Sequence, residues 1–276
     1  MTTDTPDLSD FDGRIVFLGA GVMGGAVLSG LLEAGLPPEH VTVTDPSEEA
    51  RARWSERGVE ATADNETAVE GADIVVVALK PYLVAEVLDE VAGSLGRDTV
   101  VVSLAAGVTL ATLQEHAGAQ LPVVRVMPNT PALVGEGMFV VSPGAHCTDE
   151  QVATVDRLLQ ACGHTEVVAE SMQDAATGLS GSGPAYVFYV ADALIEAGVL
   201  EGLSRPVATR LAEQTLLGAA TMLRDGDTPA AILREQVTSP GGSTAAALRA
   251  LDRGAVRYHL IEAVGAATRR SAELGD

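Results

Sequence analysis

Ile15-Val16-Phe17-Leu18-Gly19-Ala20-Gly21-Val22-Met23-Gly24 is an apolar, β-rich run that breaks into three glycines spaced GxGxxG. Residues 26–34 then carry apolar side chains at helical spacing until Gly35 stops them. The order strand, glycine turn, helix is what gives the motif its meaning, because the same glycines elsewhere are only a turn. Gly19 permits the tight bend, Gly21 lets a pyrophosphate approach the backbone, and Gly24 lets helix and strand pack closely. The phosphates then meet the free N–H groups and the dipole at the helix start. The stretch predicts a dinucleotide-binding fold in which Gly19, Ala20, Gly21, Val22, Met23 and Gly24 hold the cofactor.

Working outward, residues 41–44, 74–79, 100–104 and 123–126 are further β-rich runs separated by helix-like stretches. Strands spaced in this way predict crossover units and a parallel sheet. Residues 138–141 and 166–168 extend it, with a helix over 148–159 between them. From about residue 170 strand signals vanish, and residues 184–196, 205–223, 229–236, 244–251 and 256–274 read as helices. Several are apolar almost all round, more than one small helical domain can bury, so a second subunit is the natural cover. The expected fold class is α/β: a Rossmann-type dinucleotide-binding domain over residues 1–169, then an all-α dimerisation and substrate domain over 170–276.

Composition narrows the function classes. Hydrophobic residues make up 47% and aromatics 3%, so the cores are built mainly from Ala, Val and Leu. No uninterrupted apolar run approaches the ~18 residues of a membrane span, and residues 1–12 lack a signal-peptide pattern. The expectation is a cytoplasmic protein with a frayed start. A net charge of −21 argues against nucleic acid or membrane as partners and leaves an acidic substrate to local donors. Cys147 and Cys162 form no disulfide framework, and His40, His116, His146, His164 and His259 show no metal-ligand spacing, so no metal is expected. Of the 17 basic residues only Lys80 is lysine, which with the acidic excess reads as adaptation to a high-salt cytoplasm.

Asp45 closes the second predicted strand about 24 residues after Gly21, where an acid binds the adenosine ribose hydroxyls and favours NADH. Ser47, Arg51 and Arg53 follow and can serve a 2′-phosphate, so NADPH and NADH both stay open. Ala78-Leu79-Lys80-Pro81, Ser103-Leu104-Ala105-Ala106-Gly107 and Arg125-Val126-Met127-Pro128-Asn129-Thr130-Pro131 follow three successive strand ends, where an open sheet binds its ligand. The amide of Asn129 suits a nicotinamide, with a turn role as its rival. Ser239-Pro240-Gly241-Gly242-Ser243-Thr244, just before a predicted helix, offers N–H groups and hydroxyls to a carboxylate, while Ser243 or Thr244 could equally cap that helix.

Together with Thr177-Gly178-Leu179-Ser180-Gly181-Ser182-Gly183-Pro184-Ala185-Tyr186 and the segment from Val237 to Thr244, these stretches resemble the pyrroline-5-carboxylate reductase family. The likeness runs from residue 15 to about 274 and includes the distinctive segment 229–252. It implies reduction of the C=N bond of 1-pyrroline-5-carboxylate to L-proline by NAD(P)H, in a homodimer formed through the helical domain, with dimers assembled into larger rings. It further implies cofactor contacts at Ala20, Val22, Met23, Asn65, Leu79, Lys80, Ala106 and Gln236, and substrate contacts at Glu170, Ser239, Ser243 and Thr244. Beside these stand Asp45, Ser47, Pro81, Gly107 and Asn129 as further cofactor candidates and Gly242 as a further substrate candidate. Thr244 and Glu170 are the catalytic candidates.

The chemistry fits the residues present. An imine is basic enough to arrive protonated, so hydride transfer needs no strong acid from the protein. Lys80 at a strand end suits cofactor support better than proton donation, and Tyr186 suits packing. A 3-hydroxyacid type dehydrogenase would need a lysine after residue 170, and the sequence has none there. A protein that senses NAD(P)H without turnover is the rival outside enzymes. The acidic surface predicts a thermal midpoint several degrees higher in molar KCl than in dilute buffer, because salt screens carboxylate repulsion. Equal midpoints in the two buffers would remove the high-salt reading.

Overall fold

The structure is a computed structural model and describes residues 5–275. Its sheet has eight strands in the order β3-β2-β1-β4-β5-β6-β7-β8. They are β1 (Ile15–Leu18), β2 (Val41–Thr44), β3 (Glu60–Thr62), β4 (Ile74–Val77), β5 (Val100–Ser103), β6 (Val123–Met127), β7 (Gly137–Pro143) and β8 (Gly163–Val167). β1 lies at the centre of the nucleotide-binding half, with Ile15 in register with Val41 of β2 on one side and Ile74 of β4 on the other. Every residue of β1, β2, β4 and β5 is buried, as strands covered on both faces require.

Helices between the strands cover the two faces: α1 (Val22–Glu33), α2 (Glu48–Ser55), α3 (Asn65–Val69), α4 (Pro81–Val91), α5 (Leu110–Ala117) and α6 (Asp149–Gln160). Strand residues alternate between two cores. Phe17, Val43, Ile74 and Val102 pack with Leu28, Trp54 and Leu158, while Val16, Val75 and Val101 pack with Leu88 and Leu113. The Thr148/Gln151 capping box starts α6 where the sequence places a helix.

Three features depart from expectation. β6 and β7 pair antiparallel, so the sheet is not parallel throughout. The connection allows this, because the short Thr130–Val134 3-10 turn reverses the chain with no crossover helix. β3 escapes a periodicity reading because it is a three-residue edge strand, Glu-Ala-Thr, with no apolar run. The chain start is not frayed over residues 5–12. Leu8 is fully buried, its N–H donates to the Ala34 carbonyl at 2.8 Å, and Arg157 holds both the Asp7 carbonyl and the Asp10 carboxylate.

Past the sheet come α7 (Gln173–Ala176), one π-turn (Thr177–Gly181), then α8 (Gly183–Leu200), α9 (Arg205–Asp225), α10 (Ala230–Gln236), α11 (Ser243–Arg253) and α12 (Val256–Gly275). Ser182–Ala266 form one compact unit; Thr5–Gly181 with the chain from Ala267 onward form the other. Within the helical unit α8 and α9 pair closely, and a Cβ on Gly198 would stand 2.9 Å from that of Ala208. Yet Phe188, Tyr189, Leu217 and Ile261 are each more than 60% exposed. Within the continuous helical stretch Glu170–Leu200, an 18-residue window of mean hydropathy 1.3 is long and apolar enough by length and composition to cross a membrane. Asp192 and Glu196 interrupt it, so it is not the uninterrupted apolar run whose absence the sequence implies.

Leu8→Ala should destabilise the protein by about 2–4 kcal/mol, because it empties a closed site beneath α1. Urea unfolding followed by circular dichroism checks this, and a loss near zero would mean that the segment is not anchored.

Candidate active site

The glycine turn is shaped as its spacing requires. Gly19 has φ +92°, and a Cβ there would lie 2.9 Å from the Ala78 carbonyl oxygen. A Cβ on Gly24 would meet the Cβ of Ala78 at 2.7 Å and the Gly19 carbonyl at 2.8 Å, so α1 approaches the ends of β1 and β4 as only glycine allows. Among the described residues a Cβ on Gly21 would point into open space. Gly21 is also the N-cap of α1 and has no side chain to cap the first turn. Free N–H groups, a dipole and an open approach fit a pyrophosphate.

Beside the turn lies a cavity of about 870 Å³ whose lining includes Ala20, Gly21, Val22, Asp45, Ser47 and Arg53. Asp45 Oδ2 accepts from the Ala20 N–H at 3.1 Å and Oδ1 from the Ser47 N–H at 2.9 Å. The Ser47 hydroxyl caps α2 by accepting from the Ala50 N–H. Arg51 donates to the Asp45 and Pro46 carbonyls, and Arg53 donates to the Ala20 carbonyl at 3.1 Å. Both arginines thus donate to backbone carbonyls of the turn and strand end, while Arg53 itself remains exposed.

Leu79, Lys80 and Ala106 stand at the ends of β4 and β5, which continue the sheet on the other side of β1. Lys80 is exposed as the N-cap of α4, with Pro81 as its first helical residue. Gly107 turns with φ +78° and packs against Leu274 in the last turn of α12. The Asn65 amide donates to the Glu90 carboxylate at 3.2 Å. Asn129 donates to the Ser180 carbonyl at 3.1 Å and accepts from the Met138 N–H at 2.8 Å. These bonds tie the end of β6 to β7 and to the π-turn.

Arg125 is a buried partner of Glu170 that the strand pattern hid. It lies 7% exposed inside β6 and donates to Glu170 Oε1 at 3.0 Å, while the same oxygen accepts from the Leu110 N–H at 2.6 Å. Glu170 thus joins β6 to the start of α5, where the helix dipole also favours a negative charge. The signal was present in Val-Val-Arg-Val-Met, since an arginine buried in a strand demands an anionic partner. Cys162 is buried, and that burial, with Glu33 nearby, pushes its thiol up to about 12, so it stays neutral. Among the described residues no group of His, Cys, Asp or Glu is placed to hold a metal.

In the helical unit, α11 begins at Gly242, which like Gly21 has no side chain to cap it. Neither Ser243 nor Thr244 is the N-cap; both lie inside the first turn, which sets aside the capping alternative. Gly241 takes φ +69°, and a Cβ on Gly242 would collide with the Ser239 hydroxyl at 2.4 Å. The Ser239 hydroxyl therefore lies close against Gly242, just before the first turn that carries Ser243 and Thr244. Gln236 ends α10 just before it.

A sheet wound about a glycine turn, followed by a helical unit with its own anion-shaped loop, defines a two-part dinucleotide-dependent oxidoreductase. Residues 14–107 match the family described as NADP oxidoreductase, coenzyme F420-dependent, and residues 170–274 match pyrroline-5-carboxylate reductase dimerisation. The chain is 44% identical over 265 residues to the pyrroline-5-carboxylate reductase of Corynebacterium melassecola, covering 95% of this chain and 98% of that one. It superposes on the pyrroline-5-carboxylate reductase structure from Coxiella burnetii with TM-score 0.92 at 35% identity, covering 96% of this chain and 99% of that one. The Plasmodium falciparum pyrroline carboxylate reductase with NADP bound gives 0.86 at 32% identity, with the same coverage of 96% and 99%. The chain belongs to the pyrroline-5-carboxylate reductase family, whose nucleotide domain here uses NAD(P)H.

Gly24→Ala forces α1 away from Ala78 and is expected to cost about 1–3 kcal/mol of stability. It should also weaken NADH and NADPH together, as read by calorimetric titration; wild-type affinity for both would show that the close approach is dispensable.

Proposed function

We propose that this chain reduces the C=N bond of 1-pyrroline-5-carboxylate with NAD(P)H, giving L-proline in the last step of proline biosynthesis. The observation that carries this reading is the start of α11, where Gly242 is a side-chain-free N-cap with the Ser239 hydroxyl close beside it and Ser243 and Thr244 following in the first turn. That donor set suits a small carboxylate in a chain whose net charge of −21 offers no general attraction to anions.

In this reading Ser239, Gly242, Ser243 and Thr244 bind the substrate carboxylate, and Thr244 orients the ring. Gly19 to Gly24, Asp45, Ser47, Asn65, Leu79, Lys80, Pro81, Ala106, Gly107 and Gln236 serve the cofactor, which when bound supplies the hydride. Lys80 supports that half of the site, and no protein acid is required because the imine arrives protonated. Glu170 is assigned to the ring nitrogen, with its Oε1 held by Arg125 and the Leu110 N–H. Proximity and orientation then account for most of the rate.

The functional division falls at residue 170, with the nucleotide half before it and the dimerisation and substrate half after it. The exposed apolar side chains of α8, α9 and α12 support a homodimer through the helical unit, assembled further into a ring of dimers in the cytoplasm.

Oxidation of NAD(P)H that depends on added pyrroline-5-carboxylate is the decisive assay. Thr244→Ala should raise the substrate KM about tenfold while changing the cofactor Kd less than about twofold. Tight cofactor binding with no imine-dependent oxidation would favour a sensor over an enzyme.

A further inference from the structure

We infer that Asp45 makes this chain selective for NADH, by fixing a negative charge beside the adenosine ribose while the neighbouring arginines are committed to the protein itself. The inference rests on the glycine turn being the pyrophosphate site and requires nothing of the imine. In sheets of this topology the side chain closing the second strand faces the adenosine ribose. An acid there binds the free hydroxyls, whereas a phosphate on O2′ calls for a cation.

Asp45 is held from both sides by backbone donors, Ala20 N–H at 3.1 Å and Ser47 N–H at 2.9 Å. Its carboxylate cannot swing aside without undoing the glycine turn. The three nearby arginines are each anchored. Arg51 donates to the Asp45 and Pro46 carbonyls at 2.7 and 3.0 Å. Arg53 donates to the Ala20 carbonyl at 3.1 Å and lies over the Trp54 ring at 5.6 Å. Arg57 donates to the Ser29 hydroxyl at 2.7 Å and lies 5.1 Å from the same ring. The Ser47 hydroxyl, another group suited to a phosphate, caps α2. A 2′-phosphate with nearly two negative charges must therefore either tolerate a carboxylate that cannot leave or pull a guanidinium off a backbone carbonyl. The hydroxyls of NADH meet neither obstacle, and Asp45 has acceptor capacity left for them.

Calorimetric titration of the full chain with NADH and with NADPH, at one salt concentration and without pyrroline-5-carboxylate, reads the preference directly. NADH should bind at least about tenfold more tightly. Asp45→Ser should narrow the ratio by about tenfold. Asp45→Asn keeps an oxygen for one backbone N–H and should move the ratio the same way, which guards against a variant whose turn collapses. Arg53→Ala should leave the ratio within about twofold, since that guanidinium serves the turn. NADPH binding as tightly as NADH in the wild type, a ratio unmoved by both Asp45 variants, or a selective loss of NADPH in Arg53→Ala each overturns the inference. No imine is present, so failure to reduce pyrroline-5-carboxylate would leave this result standing.

Discussion

The close approach of α1 to the ends of β1 and β4 is the constraint on which the nucleotide half depends. With no Cβ at Gly24, the first turn of α1 settles against Ala78 and the Gly19 carbonyl, and the N–H groups of that turn open at the sheet edge. Asp45 reinforces the arrangement from β2 through the Ala20 N–H, and Arg53 reinforces it from α2 through the Ala20 carbonyl. Both bonds are made to the same peptide-bearing residue. The loop that meets the cofactor is consequently stiff before any ligand arrives, which lowers the ordering cost of binding.

The helical unit follows a different logic. Among the described residues only Ala208 and Ala212 are buried within it, while side chains as large as Phe188, Tyr189, Leu217 and Ile261 stay exposed. Small residues let α8 and α9 pack closely but leave too little interior for one copy to be stable alone. Residues 170–274 match a dimerisation family model, and a second copy is the natural cover for the exposed apolar side chains. α11 starts as α1 does, at a glycine N-cap with no side chain to cap the first turn.

Much of the fold was legible because the buried strands are short runs dominated by Val and other β-prone residues, which carry their own boundaries. The glycines were legible because steric exclusion acts locally. What stayed hidden was long-range or lacked an apolar signal. β3 has no hydrophobic pattern, the antiparallel β6 to β7 step is a matter of topology, and burial of the Leu8 segment depends on Arg157, about 150 residues away. Asp45 shows the limit within the site. Its place at the strand end was readable, but its grip on the backbone and the anchoring of Arg51 and Arg53 arise only once α2 folds over the turn.

Trp54 gives this arrangement a practical side. It is the only tryptophan in the chain, 2% exposed, and sits with two guanidinium groups near its ring in the lining of the cavity beside the glycine turn. An indole so enclosed emits at short wavelength, and its light comes from one place. The protein thus carries a built-in optical reporter for the state of its own α1–α2 groove, readable without label or coupled reaction.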